Sequence, residues 1–333
     1  MPSKQRTLLG VTVLLLGAIL TGVSLLGIVV GPPKTAGRPA IAQRAVAPTM
    51  APAPTLPTTP TPAPTIQPSP AATPAYDHVV VVVLENRSLR TVSGNSEAPY
   101  LNAFAARNAL ATGYSGVSHP SLPNYLALTG GSTFGVASDC SGCFIGASSL
   151  ADRVEAAGLT WRAYNESMPS PCFGGDAYPY AQKHDPFYYY NSIRQNPTRC
   201  SNIVPLTSLY RDFATPASTP AFSLVTPNLC NDGHDCSLAT TDGWLARFVP
   251  ALMSSPGFGS GRSLLVITYD EAEGGDDHVA TIFAGSGVRS GFTSAGRYDH
   301  YSLLRTVEDS LRLGSLGRED QAATSMKEFF LSV

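Results

Sequence analysis

The stretch His78-Val79-Val80-Val81-Val82-Val83-Leu84-Glu85-Asn86-Arg87-Ser88 decides the fold class. A short, unbroken β-branched run suits a strand buried on both faces, as in a parallel sheet covered by helices. The run stops abruptly in polar residues. In open parallel sheets ligands gather beyond the carboxyl ends of the strands, so Glu85 and Asn86 become candidate site residues. Ordinary loop polars, in an Asx turn for example, are the plain alternative.

Two further runs repeat the pattern. Ser263–Tyr269 is a second strongly buried strand and ends in Asp270-Glu271. The segment 221–226 reads as a third strand and leads into Pro227-Asn228-Leu229-Cys230-Asn231-Asp232-Gly233-His234-Asp235-Cys236. There, carboxylates and an imidazole sit between two cysteines, a donor set with metal-ligand chemistry. After Gly274-Gly275-Asp276-Asp277-His278 comes a further strand over 279–284. Helices are predicted over 99–110, 150–157, 205–213, 243–254 and from His300 to Leu313, with a strand over 160–164. Between Met168 and Arg199, a Pro-, Tyr- and Cys-rich lobe centres on Lys183-His184-Asp185-Pro186-Phe187.

A different kind of element is His119-Pro120-Ser121-Leu122-Pro123-Asn124-Tyr125-Leu126-Ala127-Leu128. Pro123 suits a first helical turn, and the apolar run after it reads as a buried helix. Ser121 then stands where free backbone N–H groups and the helix dipole favour an anion. A simple serine N-cap is the competing use.

Composition bounds the rest. The chain has 333 residues, a net charge of −2 and only 14% charged residues, which excludes a basic nucleic-acid-binding surface. Residues 8–30 are uncharged and predominantly apolar, preceded by Lys4 and Arg6. That length suits a transmembrane signal anchor following a short tail, 1–7, and exceeds the apolar core of about 7–15 residues usual in a cleaved signal peptide. Cleavage would instead give a secreted protein. Thirteen of the 28 prolines fall between Pro32 and Pro74, so 31–75 is predicted to be a disordered, extended Pro/Ala/Thr-rich linker. Residues 76–333 are then the catalytic domain. All six cysteines lie within it, and their even number beyond a membrane segment points to disulfides on the extracytoplasmic side. Spacing suggests Cys140–Cys143, Cys172–Cys200 and Cys230–Cys236, one of about fifteen possible connectivities; Cys140 and Cys143 are alternatively a redox or zinc pair.

Parallel strands would bring these polar ends to one edge, beside Ser121. Clustered acids without matching Lys or Arg repel one another, and a divalent cation removes that conflict. It would also activate a serine hydroxyl, which is otherwise a poor nucleophile. A Ser-His-Asp acyl hydrolase uses the same residue types but usually carries Gly-x-Ser-x-Gly, whereas Pro120-Ser121-Leu122-Pro123 stands here.

The motifs together, from Leu84-Glu85-Asn86 through His119-Pro120-Ser121, Lys183-His184-Asp185, Asn231-Asp232-Gly233-His234 and Tyr269-Asp270-Glu271 to Asp277-His278-Val279 and Asp299-His300-Tyr301, resemble the bacterial and fungal phosphoesterase family of acid phosphatases and phospholipases C, within the alkaline phosphatase superfamily. The resemblance implies an α/β fold with a central, mostly parallel sheet sandwiched by helices. It also implies that Ser121 is a nucleophile that becomes transiently phosphorylated. Glu85, Asn86, Ser121, Asp270 and Glu271 would hold one metal ion. Asp232, His234 and His278 match the region of a second, although their spacing differs from the Asp-x-x-x-His pattern of nucleotide pyrophosphatases. His184 and His278 are further catalytic candidates. Asn124, Asp185 and His300 are substrate-binding candidates, with a structural role for His300 the alternative. His119 is expected to position the Ser121 turn.

The expected cofactors are therefore one or two divalent cations, with Zn, Ca, Mg, Mn and Fe all open, and the expected partners are a phosphate ester and, through the N-terminal helix, a membrane. The resemblance favours a phosphomonoester hydrolase. The phospholipase C members usually carry further C-terminal domains, which are not expected here, and the proline run common after His278 in the phospholipases is missing. A phospholipase C acting on lipid headgroups is the rival within the class, and an inactive binding module is the rival outside it.

Overall fold

The computed structural model describes residues 73–274 and 277–331. The segments predicted at 1–7 and 8–30, and nearly all of 31–75, lie outside the described residues. Among the described residues, no helix is long and apolar enough to cross a membrane.

The valine run forms β1 (His78–Leu84), buried along its whole length. Burial of each valine contributes roughly 1.5–3 kcal/mol, so the strand lies at the sheet's centre with helices on both sides. The later strands are β2 (Ala109–Ser115), β3 (Trp161–Asn165), β4 (Ile203–Pro205), β5 (Phe222–Thr226), β6 (Ser263–Tyr269), β7 (His278–Gly285), β8 (Phe292–Ser294) and β9 (Tyr298–Asp299). They form one sheet in the order β4-β3-β5-β1-β6-β7-β2-β8, with β9 also paired to β2. β1 pairs in parallel with β5 and β6, and β3 in parallel with β4 and β5. β7 alone runs against its neighbours β6 and β2. This mixed α/β arrangement agrees with the predicted, mostly parallel sheet.

The reversal of β7 matters for the site. Leu84 is in register with Tyr269, so Glu85 and Asp270 leave adjacent strands side by side. Ser115, at the end of β2, is in register with His278, the first residue of β7. An antiparallel strand thus delivers its N-terminal residue to the edge where its neighbours deliver their C-terminal ones.

The principal helices are α1 (Pro99–Arg107), α2 (Ser121–Gly130), α3 (Leu150–Ala156), α4 (Leu238–Met253) and α5 (His300–Leu311). All ten residues of α2 are buried, as a helix apolar on every side requires. α5 packs against α2, and α1 against α4.

Two local expectations need correction. The helix predicted over 99–110 stops at Arg107, because Ala109 and Leu110 open β2. That strand, Ala-Leu-Ala-Thr-Gly-Tyr-Ser, is poor in β-formers and owes its conformation to pairing between β7 and β8 rather than to propensity. The helix predicted over 205–213 begins instead as β4, followed by a 3-10 turn at Leu206–Ser208 and one helical turn at Leu209–Asp212.

The three suggested disulfides are present: Cys140–Cys143, Cys172–Cys200 and Cys230–Cys236. The Met168–Arg199 lobe is irregular, as predicted. Its Phe187, Tyr189 and Tyr190 are fully buried, with Phe187 packed against Trp161 at 4.8 Å between ring centroids.

Candidate active site

Glu85 is the centre of the site. It follows the last residue of β1, is fully buried, and its backbone N–H donates to the Asp232 carbonyl at 3.0 Å. The loop after β5 is thereby fastened to the end of β1. Glu85 Oε2 accepts the Ser121 hydroxyl at 2.9 Å; Oε1 accepts the Tyr125 hydroxyl at 2.5 Å. Ser121 and Tyr125 are one helical turn apart, so α2 presents both from the same face. His184 lies across the same carboxylate, with Nε2 at 3.2 Å from Glu85 Oε2 and Nδ1 at 3.3 Å from Asp232 Oδ2. Its ring stacks on Tyr125 at 5.3 Å.

Burial opposes ionisation of Glu85, yet His184, Tyr125 and Ser121 outweigh it and hold the carboxyl below its usual range. His184 shows the reciprocal effect. Burial alone would favour the neutral ring, but the facing Glu85 and Asp232 carboxylates raise it to about 10.

Asn86 sits just beyond Glu85 at φ +51°, a left-handed conformation that Asn tolerates better than most residues. Its N–H donates to Asp270 Oδ1 at 3.2 Å. The second oxygen, Asp270 Oδ2, is buried without a hydrogen-bond partner. Burial first, then Glu85 and Glu271, push the Asp270 carboxyl well above its usual range. Glu271 Oε2 lies 2.6 Å from His119 Nδ1 and 3.3 Å from Asn124 Nδ2. Space is tight here: a Cβ on Gly116 would come within 2.9 Å of the Asp270 carbonyl oxygen.

The remaining candidates are placed unequally. Asn124 is shared between the turn before α2 and the site: it accepts from Val117 and Ser118 N–H, and its Nδ2 donates to the Ser118 carbonyl and to Glu271 Oε2. His300 is fully buried. Its Nε2 donates to the Asp270 carbonyl at 2.5 Å, so Nδ1 is the acceptor for Tyr114 OH at 2.8 Å. Asp185 directs its carboxylate to Tyr180 at 3.4 Å, and burial pushes it up to about 7. Asp232 Oδ1 accepts the His234 N–H at 2.8 Å within a loop turned by Gly233 at φ +105°. His234 points its ring at Asp235 and Lys183 rather than at Glu85. His278 stands exposed at the sheet edge.

Sequence reading assigned no role to Tyr125, although its spacing from Ser121 on α2 was the available signal. Asp139, which accepts the Leu122 N–H at 2.9 Å, had none.

Among the described residues, no three His, Cys, Asp or Glu side chains form a metal-holding group. The donors nevertheless suit a cation. Glu85, Asp232, Asp270 and Glu271 converge, His184 is a buried cationic partner of Glu85 and Asp232, and Asp270 Oδ2 is an orphaned buried oxygen. A divalent ion held there would offset the excess charge and engage that oxygen.

Comparison with known proteins gives the family and the fold. The chain is 36% identical over 252 residues to phosphatidylinositol-3-phosphatase of Mycobacterium tuberculosis, covering 74% of this chain and 80% of the relative. It is 31% identical over 268 residues to phosphate-repressible acid phosphatase of Penicillium chrysogenum, covering 76% of this chain and 63% of that protein. Its fold is similar to that of a Vibrio parahaemolyticus protein in the alkaline phosphatase superfamily, at a TM-score of 0.54 and 12% identity, covering 80% and 76% of the two chains. The model of the Phosphoesterase family matches residues 95–314. The chain belongs to the Phosphoesterase family, and it is a hydrolase of phosphoric esters.

Proposed function

We propose that the chain is an acid phosphatase-like phosphomonoester hydrolase acting through Ser121 and a phosphoserine intermediate. The observation that carries this reading is the buried Ser121 hydroxyl, at the start of α2, donating to the ionised Glu85 carboxylate at 2.9 Å. Ser121 Oγ attacks phosphorus and its proton passes to Glu85 Oε2. The bond from phosphorus to the ester oxygen breaks, and the alkoxide leaves and takes a proton from solvent water. Water then attacks the phosphoserine, the bond from phosphorus to Ser121 Oγ breaks with release of phosphate, and Glu85 returns its proton to Oγ. His184, kept as imidazolium between Glu85 and Asp232, sets positive charge beside the oxygen that faces Ser121. Tyr125 and His184 together hold the Glu85 side chain in place.

A divalent cation held by Glu85, Asn86, Ser121, Asp270 and Glu271 would lower the serine pKa and offset phosphoryl charge. Asp232, His234 and His278 remain the candidates for a second ion; the contact between His234 and Lys183 argues against the middle one. Two similar proteins are named as a phosphatidylinositol-3-phosphatase and as a phosphate-repressible acid phosphatase, which supports a monoester reading over a diester one.

We also place the catalytic domain outside the cytoplasm, anchored by residues 8–30, since three disulfides persist in oxidising compartments. The test compares p-nitrophenyl phosphate with bis-p-nitrophenyl phosphate on the full chain. Preferred turnover of the monoester is expected. Preferred turnover of the diester would replace this reading with a phospholipase C-like one.

A further inference from the structure

Lys183 stands next to the Ser121 site, and two separate elements aim it. Its ammonium donates to Asp139 Oδ2 at 3.0 Å and to His234 Nε2 at 3.1 Å. An ammonium has no lone pair, so His234 Nε2 is the acceptor and Nδ1 carries the ring proton toward Asp235 Oδ1 at 2.7 Å. His234 belongs to the loop closed by Cys230–Cys236, and Asp139 immediately precedes the Cys140–Cys143 bridge.

Asp139 uses its other oxygen differently. Oδ1 accepts the Leu122 N–H at 2.9 Å, and that amide adjoins the Ser121 hydroxyl in the chain. One carboxylate therefore spans an ammonium and the backbone donor beside the nucleophile. Those two donors are what the non-bridging oxygens of a phosphoryl group attacked by Ser121 would need. A phosphate, like a carboxylate, presents two anionic oxygens from one atom. Asp139, Lys183 and His234 also line a cavity of about 250 Å³, with Tyr178, Tyr180 and Leu229 among its other walls. Lys183 thus faces open space large enough for a small ester, and Asp139 links the Leu122 N–H to that space. An acid that merely capped α2 would need no lysine on its second oxygen, nor a histidine steadying that lysine.

We propose that Lys183 Nζ and the Leu122 N–H bind the phosphoryl group of the substrate, and that Asp139 keeps this place in the free protein as an internal anion which the substrate displaces. The proposal deepens the phosphomonoesterase reading and rests on it. Asp139 then lowers the apparent affinity for phosphate by the fraction of molecules in which it holds the donors. Lys183 is a substrate-binding residue, and His234 is a positioning residue acting through it.

The experiment measures binding of inorganic phosphate to the full chain by calorimetry, beside its inhibition of p-nitrophenyl phosphate hydrolysis. Asp139→Ala and Asp139→Asn should each bind phosphate about tenfold more tightly than the wild type, as expected when an internal competitor is removed. Asp139→Asn keeps an acceptor for the Leu122 N–H, so it carries the test if the alanine variant fails to fold. Lys183→Met should weaken phosphate binding about tenfold or more, and Lys183→Arg should recover part of the loss. Unchanged or weaker binding in a folded Asp139→Asn protein overturns the proposal, as does wild-type affinity in Lys183→Met. Ser121→Ala separates the two readings. Loss of hydrolysis with phosphate binding retained supports both, whereas hydrolysis that survives Ser121→Ala refutes the nucleophile while the order of phosphate affinities still decides the anion site.

Discussion

The Ser121 hydroxyl donates to Glu85 Oε2 at 2.9 Å, joining the first turn of α2 to the end of the central strand. Glu85 reaches that position because β1 ends there, and it stays ionised because three side chains donate to it or face it with charge. Ser121→Ala removes the attacking oxygen and should reduce kcat by a factor on the order of 10⁴ or more. The check is steady-state turnover of p-nitrophenyl phosphate, with a folded variant confirmed by its thermal midpoint.

Tyr125 holds the other oxygen of the same carboxylate at 2.5 Å. Tyr125→Phe leaves the ring stacked on His184 but frees Glu85 Oε1. By analogy with other outer-shell partners of ligand groups, activity should fall about 10–100-fold with little change in fold. A variant with wild-type kcat would show that Glu85 needs no such support.

Cation removal supplies a third check. Asp270 Oδ2 has no partner in its buried position, so an ion that engages it should stabilise the fold as well as support turnover. Dialysis against a chelator should abolish hydrolysis and lower the thermal midpoint, and one or more of Zn, Ca, Mg, Mn and Fe should restore both. An unchanged midpoint and unchanged turnover would count against the acid cluster as a cation site.

Glu308 gives a prediction remote from the chemistry. It is buried on α5, and its Oε1 accepts the Leu316 N–H at 3.0 Å, which Asp320 Oδ2 also accepts. Burial first, then Asp320, raise its carboxyl to about 8, against about 4.3 in the unfolded chain. The folded state holds the extra proton between those values. Its contribution to stability is therefore fully present below about pH 4.3 and is lost as pH rises to about 8. Glu308→Gln keeps the acceptor and removes the titration. It should be more stable than the wild type at pH 8.5, by on the order of 3 kcal/mol, and differ little near pH 4. Urea denaturation at the two pH values measures this.

The Cys230–Cys236 bridge closes the loop that carries Asp232 and His234. Replacing both cysteines with serine should cost about 2 kcal/mol of stability from loop entropy. Activity should fall further than stability does, because Asp232 also pins the backbone of Glu85. Turnover measured well below the unfolding temperature separates the two effects.

Local chemistry in the chain was enough for a large part of this picture. Buried β-branched runs identify the strands around 78–84 and 263–269, because a strand covered on both faces leaves no room for alternation. Acids at the ends of such strands have one place to go, the carboxyl edge, so Glu85, Asp270 and Glu271 could be grouped before their positions were known. Close spacing likewise made the three cysteine pairs the simplest choice. β2 was illegible, since Ala109, Ala111 and Gly113 carry no strand preference of their own.

By itself, then, the amino-acid order determined the sheet's central strands, the helix that opens at Ser121, the acids beyond the strand ends and the cysteine pairs, all of which follow from short-range patterns of burial and spacing. Tertiary structure alone decided the reversal of β7 that brings His278 to the common edge. It also turned Asp185 toward Tyr180, divided Asn124 between its own turn and Glu271, locked both ring nitrogens of His300, and set Asp139 across Lys183 and the Leu122 amide. Those outcomes depend on which strands pair and how distant loops pack, so the direction of a side chain at the sheet edge is settled by contacts with partners far away in the chain.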